Sequence, residues 1–538
     1  MTTAPTATPA DREGHLAASG PIQGAATFWE LIERRADRSP QARMLVDEQD
    51  RELTYGELRD AASSTAAGLA ELGVGPGSAV SWQMPSTIDT VVVMAALCRL
   101  GALQNPIIHL YREREVGFAL TQTGATHLIV PGVWRGVDYV DLARRACGTN
   151  RDLPVIVDLS AGHPCGDPAA LPRPPAAAAS DDEAPVRWIF YTSGTSADPK
   201  GVCHTDRTLI AAGWGLVVAS GNGPDDVGTI AFPIAHIGGV DALASMLMIG
   251  SSAVMVEAFD PSTTIPLLRR HGVTRFGGGP AFYLACLAEQ RKNPGQPILP
   301  ALRSMSGGGA PKPPQLHFEV RDEIGGRGIT HGYGMTEVPM IASGRVDDSD
   351  EQLAYSDGAP VEGALIRIAR PDGTDAAVME EGEIRVKGPM VFRGYTDAAL
   401  TAEAFDADGW FRTGDLGRLR PDGHVQLTGR LKDVIIRKGE NISAKEVEDL
   451  LYTHPAVADV AVFGIPDPAR GEMVCAVVEC KPGAGLTFEE MTTFLRGAGL
   501  MVQKIPEMLE VRSGLPRNAT GKIQKKDLRA EYVARLTD

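Results

Sequence analysis

Cysteine is scarce in this chain of 538 residues, and the seven present, at 98, 147, 165, 203, 286, 475 and 480, are odd in number, scattered and never spaced C-x-x-C. Neither a disulfide framework nor a zinc site is indicated, and a reducing cytoplasm is the expected setting. Long hydrophobic runs are also lacking. The longest apolar stretch, near 91–103, is interrupted by Arg99, too short to span a bilayer, and the Ala/Thr/Pro-rich start has no apolar signal core. Positive charge is in deficit, with 52 Lys and Arg against 68 Asp and Glu, a net −16. Nonspecific attraction to nucleic acid is therefore not expected, and any site for an anionic substrate has to gather its own cations.

The length implies two or more domains. On composition residues 1–25 read as a disordered tail, with order beginning near Phe28, where Phe28, Leu31 and Ile32 share one helical face. Between Leu53 and Val130 short β-rich runs (79–82, 126–130) alternate with helical segments (55–72, 87–100, 113–122). That alternation implies a layered α/β domain with a largely parallel sheet. The Pro/Ala/Asp-rich stretch 161–185 reads as a mobile connection. Strand-then-helix alternation returns at 228–233, 252–256 and 274–277, and Asp-Gly pairs at 372, 408 and 422 signal hairpins of a small β subdomain. Ser443 with Glu446 three positions on is a capping box, backed by Val447, Leu450 and Leu451. It opens a second compact unit. The expected division is a tail (1–25), a large domain (26–429), a linker (430–433) and a smaller α+β domain (434–538).

The chemistry begins at YTSGTSADPKG, residues 191–201, where an apolar run opens into a polar, glycine-containing loop. Backbone amides, the hydroxyls of Thr192, Ser193, Thr195 and Ser196, and the Lys200 ammonium surround a polyphosphate with donors in this reading. It is not a Walker A loop, because Pro199 stands where the second glycine belongs. Four stretches follow in order: GYGMTE (332–337), GWFRTGD (409–415), GRLKD (429–433) with KGEN (438–441), and NATGK (518–522). Taken singly, each also reads as a plain glycine turn. As an ordered set they resemble the adenylate-forming superfamily of acyl-CoA synthetases, aryl-CoA ligases, peptide-synthetase adenylation domains and luciferases, over roughly residues 28–530.

The resemblance implies an α/β fold with a mobile C-terminal domain, ATP, Mg²⁺ and coenzyme A as cofactors, and a small carboxylic acid as substrate. It assigns ATP binding to Thr192, Ser193, Gly194, Thr195, Ser196, Lys200, Gly309, Ala310, Pro311, Gly332, Tyr333, Gly334 and Thr336. Asp415 and Arg430 match the ribose contacts, and Lys522 the cation that stabilises the pentavalent transition state. Glu337 matches the carboxylate that holds Mg²⁺, a hard cation suited to oxygen ligands. Lys432 occupies the hinge position, while Lys438, Gly439 and Glu440 match the loop lining the pantetheine tunnel. His236 matches the residue gating the carboxylate side of an acyl pocket formed with Ile237, Gly308, Gly332 and Met335; a lone histidine is otherwise a structural residue. Ser196 and Ala197 depart from the usual Thr-Gly pair of the phosphate loop.

The stretch Phe232–Gly239 contains no acid to pair with an α-ammonium group, so an aliphatic, alicyclic or aromatic acid is expected rather than an amino acid. With no fused carrier domain expected at either end, CoA is the simpler thiol acceptor, its nucleotide drawing on Arg437, Lys438, Lys445 or Arg470. An external carrier protein is the alternative. A nucleotide-binding sensor without turnover is the third reading, opposed by the presence of Lys522, Glu337, Asp415 and Arg430 together.

Overall fold

The computed structural model describes residues 20–148, 154–192, 199–310, 312–438, 440–468, 470–518 and 521–537. Ser193, Gly194, Thr195, Ser196, Pro311 and Gly439 lie outside them.

The helices begin where local chemistry caps them. Thr54 and Glu57 form a reciprocal capping box on helix Tyr55–Glu71, and Thr87 caps Ile88–Leu100, which Gly101 closes in a left-handed conformation. These helices pack over a seven-stranded sheet in the order Gly394–Tyr395, Lys200–His204, Trp188–Thr192, Leu103–Pro106, Ala79–Trp82, His127–Val130, Val155–Asp158. The run from Trp188–Thr192 to Val155–Asp158 is parallel, and the two strands at the other edge are antiparallel.

A second sheet carries Arg275–Gly277, Ser304–Gly308 and Ile329–Met335 in parallel, then Val338–Ser343 and Ala359–Pro360 antiparallel. A four-stranded antiparallel meander, Leu365–Ala369, Gly382–Lys387, Phe411–Leu419 and Val425–Arg430, is the β subdomain. The glycines of its Asp-Gly pairs, Gly373, Gly409 and Gly423, all have positive φ, the conformation that turn chemistry requires there. The C-terminal unit wraps helices Ala444–Tyr452, Phe488–Gly497 and Lys525–Thr537 around the long hairpin Val457–Asp467 and Gly471–Cys480.

Three local expectations are revised. Ile22 and Ala25 are buried, and the Ile22 amide donates to Met248 O at 2.8 Å, so packed chain begins before Phe28. Residues 161–185 form a fixed strap: Gly166 N donates to Ser64 O, Arg99 to Pro172 O and Arg207 to Ala178 O. Gly68 lets the strap lie against helix Tyr55–Glu71, since a Cβ there would stand 2.4 Å from Pro164 C. At Ser443 half of the expected box forms. Its hydroxyl accepts from Glu446 N and donates to Thr428 O, while the Glu446 carboxylate pairs with Lys504.

Among the described residues no helix is long and apolar enough to cross a membrane.

Candidate active site

Three parallel strands, Arg275–Gly277, Ser304–Gly308 and Ile329–Met335, deliver their carboxyl ends to one place, the position where open α/β sheets bind ligands. Glycine lets them approach there. A Cβ on Gly308 would stand 2.2 Å from Gly332 O, and one on Gly334 would stand 2.1 Å from Pro339 O, so these glycines serve close backbone packing. Gly309, beyond the strand end, has φ +82 and open space around it, with Ala310 next in the chain. Gly332 meets the Met340 sulfur across the hairpin, 3.4 Å from where a Cβ would be, and Met335 closes that strand opposite Val338.

The strands flanking the phosphate-loop stretch, Trp188–Thr192 and Lys200–His204, run antiparallel and pair Thr192 with Lys200. Lys200 Nζ lies 5.1 Å from the centre of the Tyr395 ring, and the Tyr395 hydroxyl donates to Glu337 Oε1 at 2.7 Å. His204, fully buried, meets the Thr336 carbonyl through Nε2 at 2.7 Å and Thr208 Oγ1 through Nδ1 at 2.9 Å. Burial lowers its pKa to about 4, so it is neutral and donates from Nε2. Tyr395 and His204 thus fix the Thr336–Glu337 turn from two sides. Neither is singled out by the motifs, although His204 follows Lys200-Gly201 within the same strand.

Asp415 and Arg430 sit opposite each other on neighbouring strands, with Arg430 Nε 3.1 Å from Asp415 Oδ1. The Tyr333 hydroxyl donates to Asp415 Oδ2 at 2.9 Å. Burial and the Asp415 charge push the Tyr333 phenol up, so it keeps its proton. Tyr333 is only 6 % exposed, and as placed it props Asp415.

Lys522 reaches this cleft from the C-terminal domain. Gly521, at φ +80, lies against Ala281, and Lys522 N donates to Asn518 Oδ1 at 2.9 Å. Burial, then the charges of Arg430 and Lys432, draw the Lys522 ammonium down to about 7, against the pull of Asp415 and Asp433. Lys432, in the turn Leu431–Asp433, is itself lowered by desolvation and Arg430, with Lys200 contributing. Lys522 thus feels Arg430 and Lys432, and Lys432 feels Arg430 and Lys200, in a chain of net charge −16. Such a gathering of cations makes the local potential favourable to an anion.

His236 caps helix Ile237–Ile249, its Nδ1 accepting from Gly238 N at 3.2 Å. Burial lowers its pKa to about 4, so it acts as a neutral group. With Ile237, Thr336, Phe190, Tyr191 and Tyr111 it lines a partly open cavity.

Not every expected residue joins the cleft. Lys438, at φ +51, and Glu440 occupy an exposed hairpin tip, where Lys438 N donates to Arg470 O. Arg437 and Arg470 both pair with Glu507, and Lys445 is largely buried in a pair with Asp449. Lys445 is thereby withdrawn from the proposed nucleotide contacts. Asp357 and Lys312 of the large domain act electrostatically on that pair, so it helps seat the small domain.

The donor set suits a magnesium ion. Glu337 offers one carboxylate, steadied by Tyr395, and Mg²⁺ takes one or two carboxylates with substrate phosphates completing its shell.

Residues 32–396 match the AMP-binding enzyme family and residues 446–522 the AMP-binding enzyme C-terminal domain. The chain is 30% identical over 529 residues to a medium-chain fatty-acid–CoA ligase of Escherichia coli (strain K12), covering 96% of this chain and 92% of that one. It is 32% identical over 546 residues to a salicyl-AMP ligase / salicyl-S-ArCP synthetase of Mycobacterium tuberculosis, covering 96% and 93%. Its fold is similar to that of ATP-bound MatB from Rhodopseudomonas palustris, with a TM-score of 0.84, 28% identity and coverage of 94% and 98%.

Proposed function

The chain belongs to the AMP-binding enzyme family, and from that premise we propose that it is an ATP-dependent acid:CoA ligase acting on an aliphatic, alicyclic or aromatic carboxylic acid. The observation that carries the reading is the convergence of Lys522 with Arg430, Lys432 and Lys200 beside Asp415.

In the first half-reaction a carboxylate oxygen attacks the α-phosphorus of ATP. An acyl–O–P bond forms, the bond to the β-phosphate oxygen breaks and pyrophosphate leaves. The obstacle is repulsion between two anions, and preorganised cations relieve it. Lys522 serves the α-phosphate, where charge builds as phosphorus becomes pentavalent. A polyanion beside it favours its charged form. Asp415, held by Tyr333 and Arg430, accepts from the ribose hydroxyls. Glu337 would hold Mg²⁺, which supplies charge neutralisation to the phosphates when bound, and the neutral His236 shields the carboxylate end from water without repelling or pairing with it.

In the second half-reaction the CoA thiolate attacks the acyl carbon and AMP leaves with the bonding electron pair. Lys438 and Glu440, both exposed, serve this step after the small domain turns about Lys432. Acid-dependent pyrophosphate release followed by the mass of the CoA thioester tests the proposal.

One observation favours the runner-up, transfer to a carrier protein. Arg437, Arg470 and Lys445 are already paired with carboxylates, leaving few free cations for the 3′-phosphate of CoA, and the Mycobacterium tuberculosis relative bears the name of a carrier-protein synthetase. Comparing CoA with a phosphopantetheinylated carrier protein as acceptor separates the two readings.

A further inference from the structure

Helix Ile237–Ile249 is buried along its length except at Gly238 and Ala242, which stand four residues apart and mark one strip of its surface. His236 and Ile237, at its first turn, line the cavity beside Thr336. Asp241 stands three residues after Gly238 and four after Ile237, placing it on the same side one turn deeper.

Asp241 is 3 % exposed, and its Oδ1, closed to solvent, has no hydrogen-bond partner among the described residues. No neighbouring charge acts on it, and burial alone pushes the carboxyl up to about 7. Other buried acids of the chain are met. Asp47 accepts from Arg51, Asp226 from Thr274 and Arg303, and Glu448 pairs with Lys525. An unmet buried carboxyl destabilises the fold that holds it. A donor brought by a ligand removes that cost.

We propose that Asp241 is a specificity-determining residue of the acyl site, accepting a hydrogen bond from a hydroxyl or amine on the body of the acid substrate. The inference rests on the acid-activating reading above and refines its substrate class. Asp241 follows His236 by five residues, roughly 7 Å along the helix at 1.5 Å per residue. The donor therefore sits toward the far end of a small acid. An α-ammonium group would lie instead against Phe232–Gly239, where no acid meets it.

The test is kcat/KM for pyrophosphate release with benzoate, 4-hydroxybenzoate and 4-aminobenzoate, and with hexanoate, 6-hydroxyhexanoate and 6-aminohexanoate. Wild type, Asp241→Asn and Asp241→Leu are compared in full-length protein, with thermal unfolding of each. Sites built to bind a hydroxyl or amine reject analogues lacking it. Wild type should favour at least one donor-bearing acid over its unsubstituted partner by about 10-fold or more. Asp241→Leu should abolish or invert that ratio, Asp241→Asn should retain part of it, and Asp241→Leu should unfold at higher temperature because an unmet carboxyl is gone. A ratio unchanged within about twofold in Asp241→Leu, or a lowered unfolding temperature, overturns the assignment. Turnover of the unsubstituted acids then still upholds the ligase reading, whereas no release with any of the six overturns both.

Discussion

Arg430 Nε stands 3.1 Å from Asp415 Oδ1 across two antiparallel strands, and Lys522 of the C-terminal domain comes to rest close enough for both to act on its charge. The cation proposed for catalysis on one domain thus lies beside the carboxylate proposed for the ribose on the other.

Replacing Lys522 by alanine removes that cation. Acyl-adenylate formation should fall by about 10²- to 10³-fold, the usual cost of one charge-stabilising donor. Conversion of supplied acyl-adenylate and CoA to thioester should persist. Near-normal pyrophosphate release by the variant would show that another residue does this work.

The lowered pKa of Lys522, about 7, carries a pH signature. The lysine is charged below that value and neutral above it, so kcat/KM for ATP, which reports free enzyme, should decline as pH rises through 7. Bound ATP favours the ammonium, so kcat should hold to higher pH. A kcat/KM profile flat from pH 6 to 9 would count against a neutralisable Lys522 in the cleft.

Proline at position 432 fixes φ at the proposed pivot, and alanine there removes only the charge. Beyond any loss seen in Lys432→Ala, Lys432→Pro should impair thioester formation much more than adenylation. Equal loss in both half-reactions, with folding intact, would make the position structural.

Tyr395→Phe deletes the hydroxyl that donates to Glu337. Partners that orient a metal-binding carboxylate are typically worth 10-fold or more in metal affinity. The Mg²⁺ concentration for half-maximal adenylation should rise by about 10-fold while the KM for acid changes little. An unchanged Mg²⁺ titration would remove Glu337 from the metal site.

Much of the scaffold was legible because its signals are local. The helical segments expected at 55–72 and 87–100 form as Tyr55–Glu71 and Ile88–Leu100, and the Asp-Gly pairs at 372, 408 and 422 place their glycines at positive φ. Of the motif residues, Lys200 lies against Tyr395, the partner of Glu337, and Asp415 and Arg430 act on the charge of Lys522. What escaped was whatever depends on distant partners. Tyr395 and His204 matter through hydrogen bonds to Glu337 and Thr336, 58 and 132 positions away. Lys445, a plausible surface cation in isolation, is withdrawn by Asp449 and by Asp357 of the other domain. The strap at 161–185 has the composition of a loose linker, yet glycines at 68 and 166 let it bed against a helix. Asp241 lies two residues beyond Phe232–Gly239, and that its carboxyl is buried and unmet depends on the fold around it.

The most direct measurement is a panel of carboxylic acids incubated with the enzyme, ATP, Mg²⁺ and CoA, scored first for pyrophosphate and then by mass for the acyl-CoA. A ligase of this kind releases pyrophosphate only when an acid it accepts is present, and the same acid appears as its CoA thioester with AMP. Pyrophosphate release driven by free amino acids alone, or acyl transfer to a phosphopantetheinylated carrier protein with no CoA thioester, would contradict it.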